Sequence, residues 1–297
     1  MPPTYSDYKI THIIEETSDI RTFRLAPVAQ SPPSPAFAPT APPTPGMAEA
    51  SGASPTLPAI PSFKSGQFFI LRAKNPPPEL KPPFRSYSSL SPSGQPFIEF
   101  GIKKEGKFTT LLFGMKVGGI LEVSGPYGLF ILPDPITAPI VFLAGGIGIT
   151  PLACHVQHLV KANHQLPFFL FYSNRHEEEI SYKGLLDSLS DLNPNFHMIY
   201  ALTCDDKECP ASWKGERGRI NAGMIRKHLN GAEATPIALP HGAEGTSFAL
   251  PDGAQATPIP LPSCQFYLCG SPPFVTSLIE MLKAEGVPPE KIHKEQW

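Results

Sequence analysis

From residue 139 onward, short apolar runs alternate with runs of helical periodicity, four times over. APIVFLA is followed by TPLACHVQHLVKA, LPFFLFYS by EEEISYKGLLDSL, NFHMIYALT by NAGMIRKHL, and CQFYLCG by PPFVTSLIEMLKAEG. Few architectures accept that order. An apolar run without polar alternation is buried on both faces, and a helix between two such strands makes them parallel. The pattern predicts an α/β doubly wound parallel sheet, a class that binds ligands beyond the carboxyl ends of its strands. LAGGIG, YSNR, ALTCDD and LCGSPP all fall at those ends.

The first half has a different rhythm. YKITHIIEET and DIRTFRLAP pair as a hairpin, and GQFFILRA, FRSYSSL, PFIEFGIKK and GILEVSG follow, each bounded by Gly, Pro or Ser. Only FTTLLFGM reads as helix. Many short strands predict a small antiparallel β-barrel. LPDPITAP breaks both patterns, so the expected domains are residues 1–135 and 136–297. Each carries a low-complexity insertion, residues 28–62 and 231–262. Eleven of the 38 prolines fall between Pro27 and Pro61, and GAEATPIALP is imperfectly repeated as GAQATPIPLP in the second insertion. With few large apolar residues and no period, neither segment can build a core, and both read as surface loops.

The formal net charge of −2 gives no basic field for nucleic acid. The longest apolar run, around Ala138 to Ala144, is too short for a transmembrane segment, and MPPTYSDYKITHIIEE lacks the form of a secretory signal. Five cysteines at mixed spacings argue against a disulfide framework, so reduced thiols and a cytoplasmic location are expected.

Several short stretches can carry chemistry. In FRSYSSLS, Arg85 and Tyr87 share one face of a strand, with Ser88 beside them. A guanidinium there can hold a phosphate, the ring can pack on a planar heterocycle, and the hydroxyl can bond a ring nitrogen. An edge strand with solvated polar residues fits the same spacing. In GKFTTLLFG, Gly106 opens a turn and Thr109 lies near a helix start, with Lys107 between them. Free N–H groups and the helix dipole suit an anion there, although Thr109 as an ordinary cap fits equally. LAGGIGITP lacks the dinucleotide fingerprint: from Gly146 the spacing runs Gly146, Gly148, Pro151, with proline where a third glycine belongs.

The order RSYSS, GKFTTLL, GPYGLF, AGGIGITP, LCGSPP resembles the ferredoxin–NADP reductase superfamily over nearly the whole chain outside the insertions. The resemblance implies that Arg85 contacts a flavin diphosphate, Tyr87 packs on the isoalloxazine and Ser88 sits near its reactive nitrogen. It implies that Gly106 and Thr109 hold the FAD diphosphate, and that Gly101, Ile102 and Lys103 run along the flavin. FMN is the alternative some relatives use. Gly145, Gly146 and Gly148 become the pyridine-nucleotide loop, with Thr150 and Pro151 opening the next helix. Proline in a first turn loses no hydrogen bond. Cys269, with Gly270 and Pro272, is placed by resemblance near the nicotinamide, where it positions rather than reacts. The chain ends Glu295, Gln296, Trp297, at the offsets of the plant-type terminus Glu-x-Tyr. This implies an aromatic cover for the flavin in Trp297 and a proton relay to Ser88 in Glu295.

The nicotinamide choice rests on ALTCDDKEC. Thr203 offers a hydroxyl, but Asp205 and Asp206 would repel a 2′-phosphate and suit a free ribose hydroxyl. WKGERGRINAGMI is similar to a segment of NADH-linked cytochrome and nitrate reductases. Ser173 and Arg175 point the other way, toward NADPH. NADH is favoured. The gap between Cys204 and Cys209, like that between Cys264 and Cys269, begins a plant-type cluster motif, but neither completes it. His155 and His158 have no third ligand in view, so no metal is expected. The expected activity is a flavin-dependent reductase that passes electrons from NAD(P)H to a separate ferredoxin, flavodoxin, cytochrome or oxygenase component. The alternatives are a free-flavin or ferric reductase and a non-catalytic flavin-binding subunit.

Overall fold

The computed structural model describes residues 3–28, 60–205, 208–231 and 258–296. The expected insertions lie mostly outside these residues, as do Asp206 and Trp297.

The first half forms strands β1 (Ser6–Glu15), β2 (Ile20–Pro27), β3 (Phe68–Ala73), β4 (Phe84–Ser88), β5 (Ile98–Lys103) and β6 (Ile120–Tyr127). Helix α1 (Gly106–Gly114) lies between the last two. All the ladders are antiparallel, in the order β4-β3-β6-β1-β2-β5. The sheet curls until its two edges, β4 and β5, touch, giving the expected barrel. Alternate residues fill it: Phe23 and Leu25, Phe69 and Leu71, Ile98, Phe100 and Ile102, with Phe108 and Leu112 of α1 closing one end.

The second half is the parallel sheet: β7 (Ile140–Gly145), β8 (Phe168–Asn174), β9 (Phe196–Leu202), β10 (Glu216–Arg217), β11 (Gln265–Gly270) and β12 (Ile292–Gln296), in the order β10-β9-β8-β7-β11-β12. Helices α2 (Ile149–Lys161), α3 (Lys183–Leu192), α4 (Ala222–Gly231) and α5 (Pro272–Ala284) complete it. One core packs α2 and α3 on one face of the sheet, and the other packs α4 and α5 on the opposite face. The chain leaves β7 toward β8 on one side and returns at β11 on the other. The crevice between the carboxyl ends of β7 and β11 is therefore the switch point of the sheet.

Three local features differ from the sequence expectations. EEEISYKGLLDSL is not one helix. Glu177–Glu179 form a separate turn, and Tyr182 takes a left-handed conformation at φ 61° before α3 begins. Its phenol meets Thr22 of β2 at 3.3 Å, so a contact between the two halves overrides helical propensity. The terminal IHKEQ is a strand, preceded by a turn over Pro289–Lys291 and in register with β11 from Phe266↔Ile292 to Gly270↔Gln296. Cys204 and Cys209 form a disulfide, contrary to the expectation of reduced thiols. Odd-count reasoning addresses a framework of bridges, whereas one short-range pair needs only close Cα atoms, here 5.5 Å apart. Cys154, Cys264 and Cys269 are free and buried. No helix among the described residues is long and apolar enough to cross a membrane.

The halves meet along α2. Gln157 Nε2 donates to the Leu90 carbonyl at 2.7 Å, and the Cys154 thiol donates to the Ser91 carbonyl at 3.4 Å. Gly66, at φ +86°, leaves room for the imidazole of His155 and the Phe130 carbonyl, both of which a Cβ would strike. His155 is fully buried and stacks on Phe142. Burial pushes its pKa down to about 3, with His158 adding repulsion, so the ring is a neutral aromatic filler. Gly66→Ala combines a disfavoured backbone conformation with overpacking at this seam. It should lower stability by roughly 3 kcal/mol, read as a fall in the urea midpoint with an unchanged slope.

Candidate functional site

The switch-point crevice is built by close backbone approach. After β7 the chain turns through Gly146–Gly148 into α2. Gly148 rests against the carbonyl of Cys269 and the nitrogen of Gly270, leaving no room for a Cβ. Gly145 and Gly270 both border Phe274. Gly146 differs: at φ +52° its Cα faces open space, so the loop backbone is exposed where a ligand can approach. Pro151 lies in the first turn of α2 and removes no helical bond. Thr150, expected at the nucleotide, is 1% exposed and packs toward Gly101 of β5.

At the end of β11, Cys269 pairs with Ala144 on one side and Glu295 on the other. Glu295 reaches out of the parallel sheet to the barrel, where Ser88 Oγ donates to its Oε2 at 2.9 Å. Burial holds the Glu295 carboxyl above its ordinary range, partly offset by the Ser88 hydrogen bond. Burial, aided by the nearby Glu295, pushes the Cys269 thiol well up, so it is protonated and suited to positioning rather than to nucleophilic attack. Pro272 opens α5 one residue beyond Ser271.

On the barrel side, Tyr87 is half-buried and stacked on Phe108 at 6.4 Å, its phenol raised by burial and kept neutral. Arg85 is exposed; its guanidinium bonds only the Phe84 and Pro82 carbonyls, and among the described residues no carboxylate pairs with it. Gly106 begins α1 at φ +79°, with open space around its Cα. The first turn of α1 has no acidic residue and no side-chain cap hydrogen bond, so its N–H groups are open, with the exposed carboxylate of the N-cap residue Glu105 beside them. Thr109 is buried; its hydroxyl accepts from the Glu105 N–H at 2.6 Å and donates to the Gly106 carbonyl, shaping the turn. Lys107 is exposed beside it. The β5 residues divide. Gly101 is buried under Tyr182 and Thr150, Ile102 fills the barrel core, and Lys103 pairs with Asp19 at 3.3 Å.

The dinucleotide side lies at the ends of β8 and β9. Ser173 is buried and pairs with Gly145 and Ala201 across the sheet. Thr203 donates its N–H and hydroxyl to the Asn174 carbonyl, and Asp205 is exposed beyond it. Arg175 is exposed and ion-paired to Glu208 at 3.6 Å. Two further residues here lie outside the sequence expectations. Asn174 is 6% exposed, and among the described residues its Nδ2 has no acceptor in hydrogen-bonding geometry at the end of β8. Glu208 has no motif of its own and becomes visible only through its contact. A cavity of about 790 Å³ at the other end of α2, bordered by Lys64, Pro133, Asp134 and Lys161, contains none of the candidate residues.

Residues 58–131 match the oxidoreductase FAD-binding domain and residues 142–279 the oxidoreductase NAD-binding domain. The chain belongs to the ferredoxin–NADP reductase superfamily. It is similar to one component of the Na(+)-translocating NADH-quinone reductase of Idiomarina loihiensis, 28% identical over 190 residues, covering 63% of this chain and 39% of that one. The corresponding component from Neisseria meningitidis is 29% identical over 188 residues, with the same coverage. The chain thus spans about two fifths of the length of these relatives. The fold is shared with the flavohaem-like FAD/NAD binding domain of nitric oxide dioxygenase from Vibrio cholerae (TM-score 0.69, 17% identity, 98% of each chain). It is also shared with a ferredoxin reductase in carbazole 1,9a-dioxygenase (TM-score 0.67, 21% identity, all of this chain and 70% of that one). A ferredoxin NADP+ reductase from Neisseria gonorrhoeae with bound FAD and NADP has a TM-score of 0.64 at 19% identity, covering 98% of each chain. FAD and a nicotinamide dinucleotide are accordingly the ligands of this oxidoreductase family's two domains.

The residues present fit those groups: a helix start without a side-chain cap, an exposed guanidinium on β4 with no carboxylate partner among the described residues, a half-buried aromatic face, and a glycine loop with open space at Gly146. The raised Glu295 carboxyl carries a pH signature. A group that binds its proton more tightly when folded contributes stability that is complete below its ordinary value of 4.5 and lost as pH rises through its folded value. The unfolding free energy of the wild type minus that of Glu295→Gln should be flat below about pH 4.5 and fall above it, measured by urea titration across a pH series. A difference that stays flat throughout would contradict the raised carboxyl.

Proposed function

We propose that this chain is an FAD-dependent NAD(P)H reductase that delivers electrons to a separate acceptor, with its domains dividing near residue 135. The observation that carries the reading is the Ser88–Glu295 hydrogen bond. It ties the strand bearing Arg85 and Tyr87 to the sheet end bearing Cys269. A flavin on the first and a nicotinamide on the second would thus face each other across a protonatable pair.

Bound together, the two groups supply hydride transfer from nicotinamide to flavin and release of electrons singly. The chain's own residues bind, orient and manage the proton. Arg85 and the first turn of α1, with Gly106, Lys107 and Thr109, receive the diphosphate of FAD. Tyr87 packs on the ring system, along with the backbone of Gly101 to Lys103. On the nicotinamide side, Gly145, Gly146 and Gly148 admit the dinucleotide to the open backbone of the loop. Thr150 and Pro151 set the start of α2, and Cys269, Gly270 and Pro272 shape the seat of the reacting ring. Glu295, its pKa raised above the ordinary value by burial, faces the Ser88 hydroxyl and serves as the proton relay. Trp297, outside the described residues, is two positions beyond Glu295 and is assigned the role of covering the flavin. Ser173, Arg175, Thr203 and Asp205 meet the ribose end, where the carboxylate favours NADH over NADPH.

A ferredoxin, flavodoxin, cytochrome or oxygenase component is the proposed acceptor class. The similarity to NADH-quinone reductase components supports a second reading, in which the electrons enter a larger quinone-reducing assembly.

Anaerobic addition of NADH should bleach the absorbance of bound FAD, and kcat/KM should be higher for NADH than for NADPH. A flavin left oxidised under excess of both nucleotides would point to a non-catalytic role in a larger complex, and a chain that neither retains nor binds flavin would refute the proposal. Arg85→Ala and Tyr87→Ala should each weaken FAD binding about tenfold, as expected for losing one charge-assisted or stacking contact, measured by flavin fluorescence titration.

A further inference from the structure

The loop after β9 holds a disulfide and an ion pair that the proposed function does not use. Cys209 is buried and Cys204 half-buried against the core of α2 and α3, so their bridge is anchored in the domain. Glu208 and Cys209 both donate their N–H groups to the Asp205 carbonyl, at 2.8 and 3.0 Å. The Cys204 N–H donates to the Arg175 carbonyl at 3.0 Å, which fastens the loop to the end of β8. Glu208 is held by its neighbour in this bridge and meets the Arg175 guanidinium at 3.6 Å.

That pair does little for folding. Arg175 is 65% and Glu208 47% exposed, and ion pairs so open to water contribute little to stability. Its significance is where it lies. Arg175 follows β8 directly, beside Ser173 and opposite Thr203 and Asp205, at the ribose end of the crevice. It is a cation at the position where a 2′-phosphate would bind, and carboxylates surround it. Glu208 takes its guanidinium, Glu179 accepts its backbone N–H at 3.2 Å, and Asp205 stands exposed across the strand end.

We propose that Glu208, held in place by the Cys204–Cys209 disulfide, is a specificity-determining residue: it occupies Arg175 and so denies a 2′-phosphate its counter-charge. The inference rests on the reading of this crevice as the nicotinamide dinucleotide site and deepens it. Asp205 repels the phosphate directly, whereas Glu208 removes the group that would attract it. The bridge favours that removal, because Glu208 is the immediate neighbour of Cys209 and is thereby kept on the Arg175 side.

The test compares kcat/KM for NADH and NADPH in the FAD-loaded full chain, with ferricyanide as acceptor. Glu208→Gln keeps the shape of the side chain and removes its charge. It should raise kcat/KM for NADPH about tenfold while leaving NADH within about twofold, the scale of one exposed charge interaction. Adding Arg175→Ala should abolish the gain, since the freed guanidinium is its source. Replacing Cys204 and Cys209 together by Ser should move the ratio in the same direction but less. Equal ratios in wild type and Glu208→Gln overturn the proposal, as does a gain that survives Arg175→Ala. An unchanged ratio in a folded double Ser variant overturns the role of the bridge. Binding of adenosine 2′,5′-bisphosphate and of ADP, followed by calorimetry, separates this inference from the reading beneath it. Tighter binding of the bisphosphate alone in Glu208→Gln supports the inference even if no nucleotide reduces the flavin. Failure of both probes to bind any variant defeats the reading of the site itself.

Discussion

The contact between Gly148 and the end of β11 governs the rest of the site. Two backbones meet there with no side chain between them, the Cα of Gly148 against the Cys269 carbonyl and the Gly270 nitrogen. A helix can start that close to a neighbouring strand only through a residue without a Cβ. The contact sets α2 over the switch point, leaves Gly146 facing open space, and fixes the end of β11 at the loop. Glu295 follows, because β12 pairs with β11 residue for residue and carries the carboxylate in register with Cys269. One steric constraint in the sheet thus places a thiol, a carboxylate and a loop with open backbone together.

A second seam transmits that placement to the barrel. Gly101 admits Tyr182 and Thr150, Gly66 admits His155, and α2 donates hydrogen bonds to Leu90 and Ser91. These contacts bury polar groups that are individually costly. Among the described residues neither ring nitrogen of His155 has a partner in good hydrogen-bonding geometry, and its depressed pKa means the cost is that of a neutral imidazole rather than a cation. Its aromatic neighbours Phe130, Phe142 and Tyr267 surround the ring, so the residue packs as part of the core. With α2 locked on both sides, Ser88 and Glu295 come from different halves yet meet at hydrogen-bonding distance.

Both architectures were legible in the sequence because both rest on periodicity. The strand and helix alternation after residue 139 specified a parallel sheet, and the Gly- and Pro-bounded strands before it specified a barrel. What was not legible depended on contacts between segments distant in sequence. Tyr182 breaks a helical pattern because Thr22 lies 160 residues upstream in the neighbouring half. IHKEQ has no strand signature, and only an open edge at β11 makes it one. Cysteine counting gave no hint that Cys204 and Cys209 pair, since a local bridge is a matter of loop geometry. Glu208 was invisible for the same reason, and Asn174 carries no signal because an orphan amide exists only once its surroundings are built.

The placement of the motif residues clarifies why the motifs exist. Thr150, Gly101 and Ile102 stand in motifs attributed to cofactor binding, yet their side-chain positions are spent on packing: two at the seam, one in the barrel core. Thr109 turns its hydroxyl on its own helix start. Thr150, Ile102 and Thr109 each fix a stretch of backbone with their side chains, and Gly101 does so by the close approach that its missing Cβ allows. Arg85 and Lys107 are exposed, and Tyr87 keeps part of its ring accessible. The sequence motif therefore records two requirements at once. Small and buried residues hold the backbone in place, and a few exposed cations and one half-buried ring remain open to solvent, as the proposed cofactor contacts require. That division explains why proline is acceptable at position 151. The loop needs a helix that starts at a fixed point more than it needs another glycine, because Gly148 already supplies the close approach.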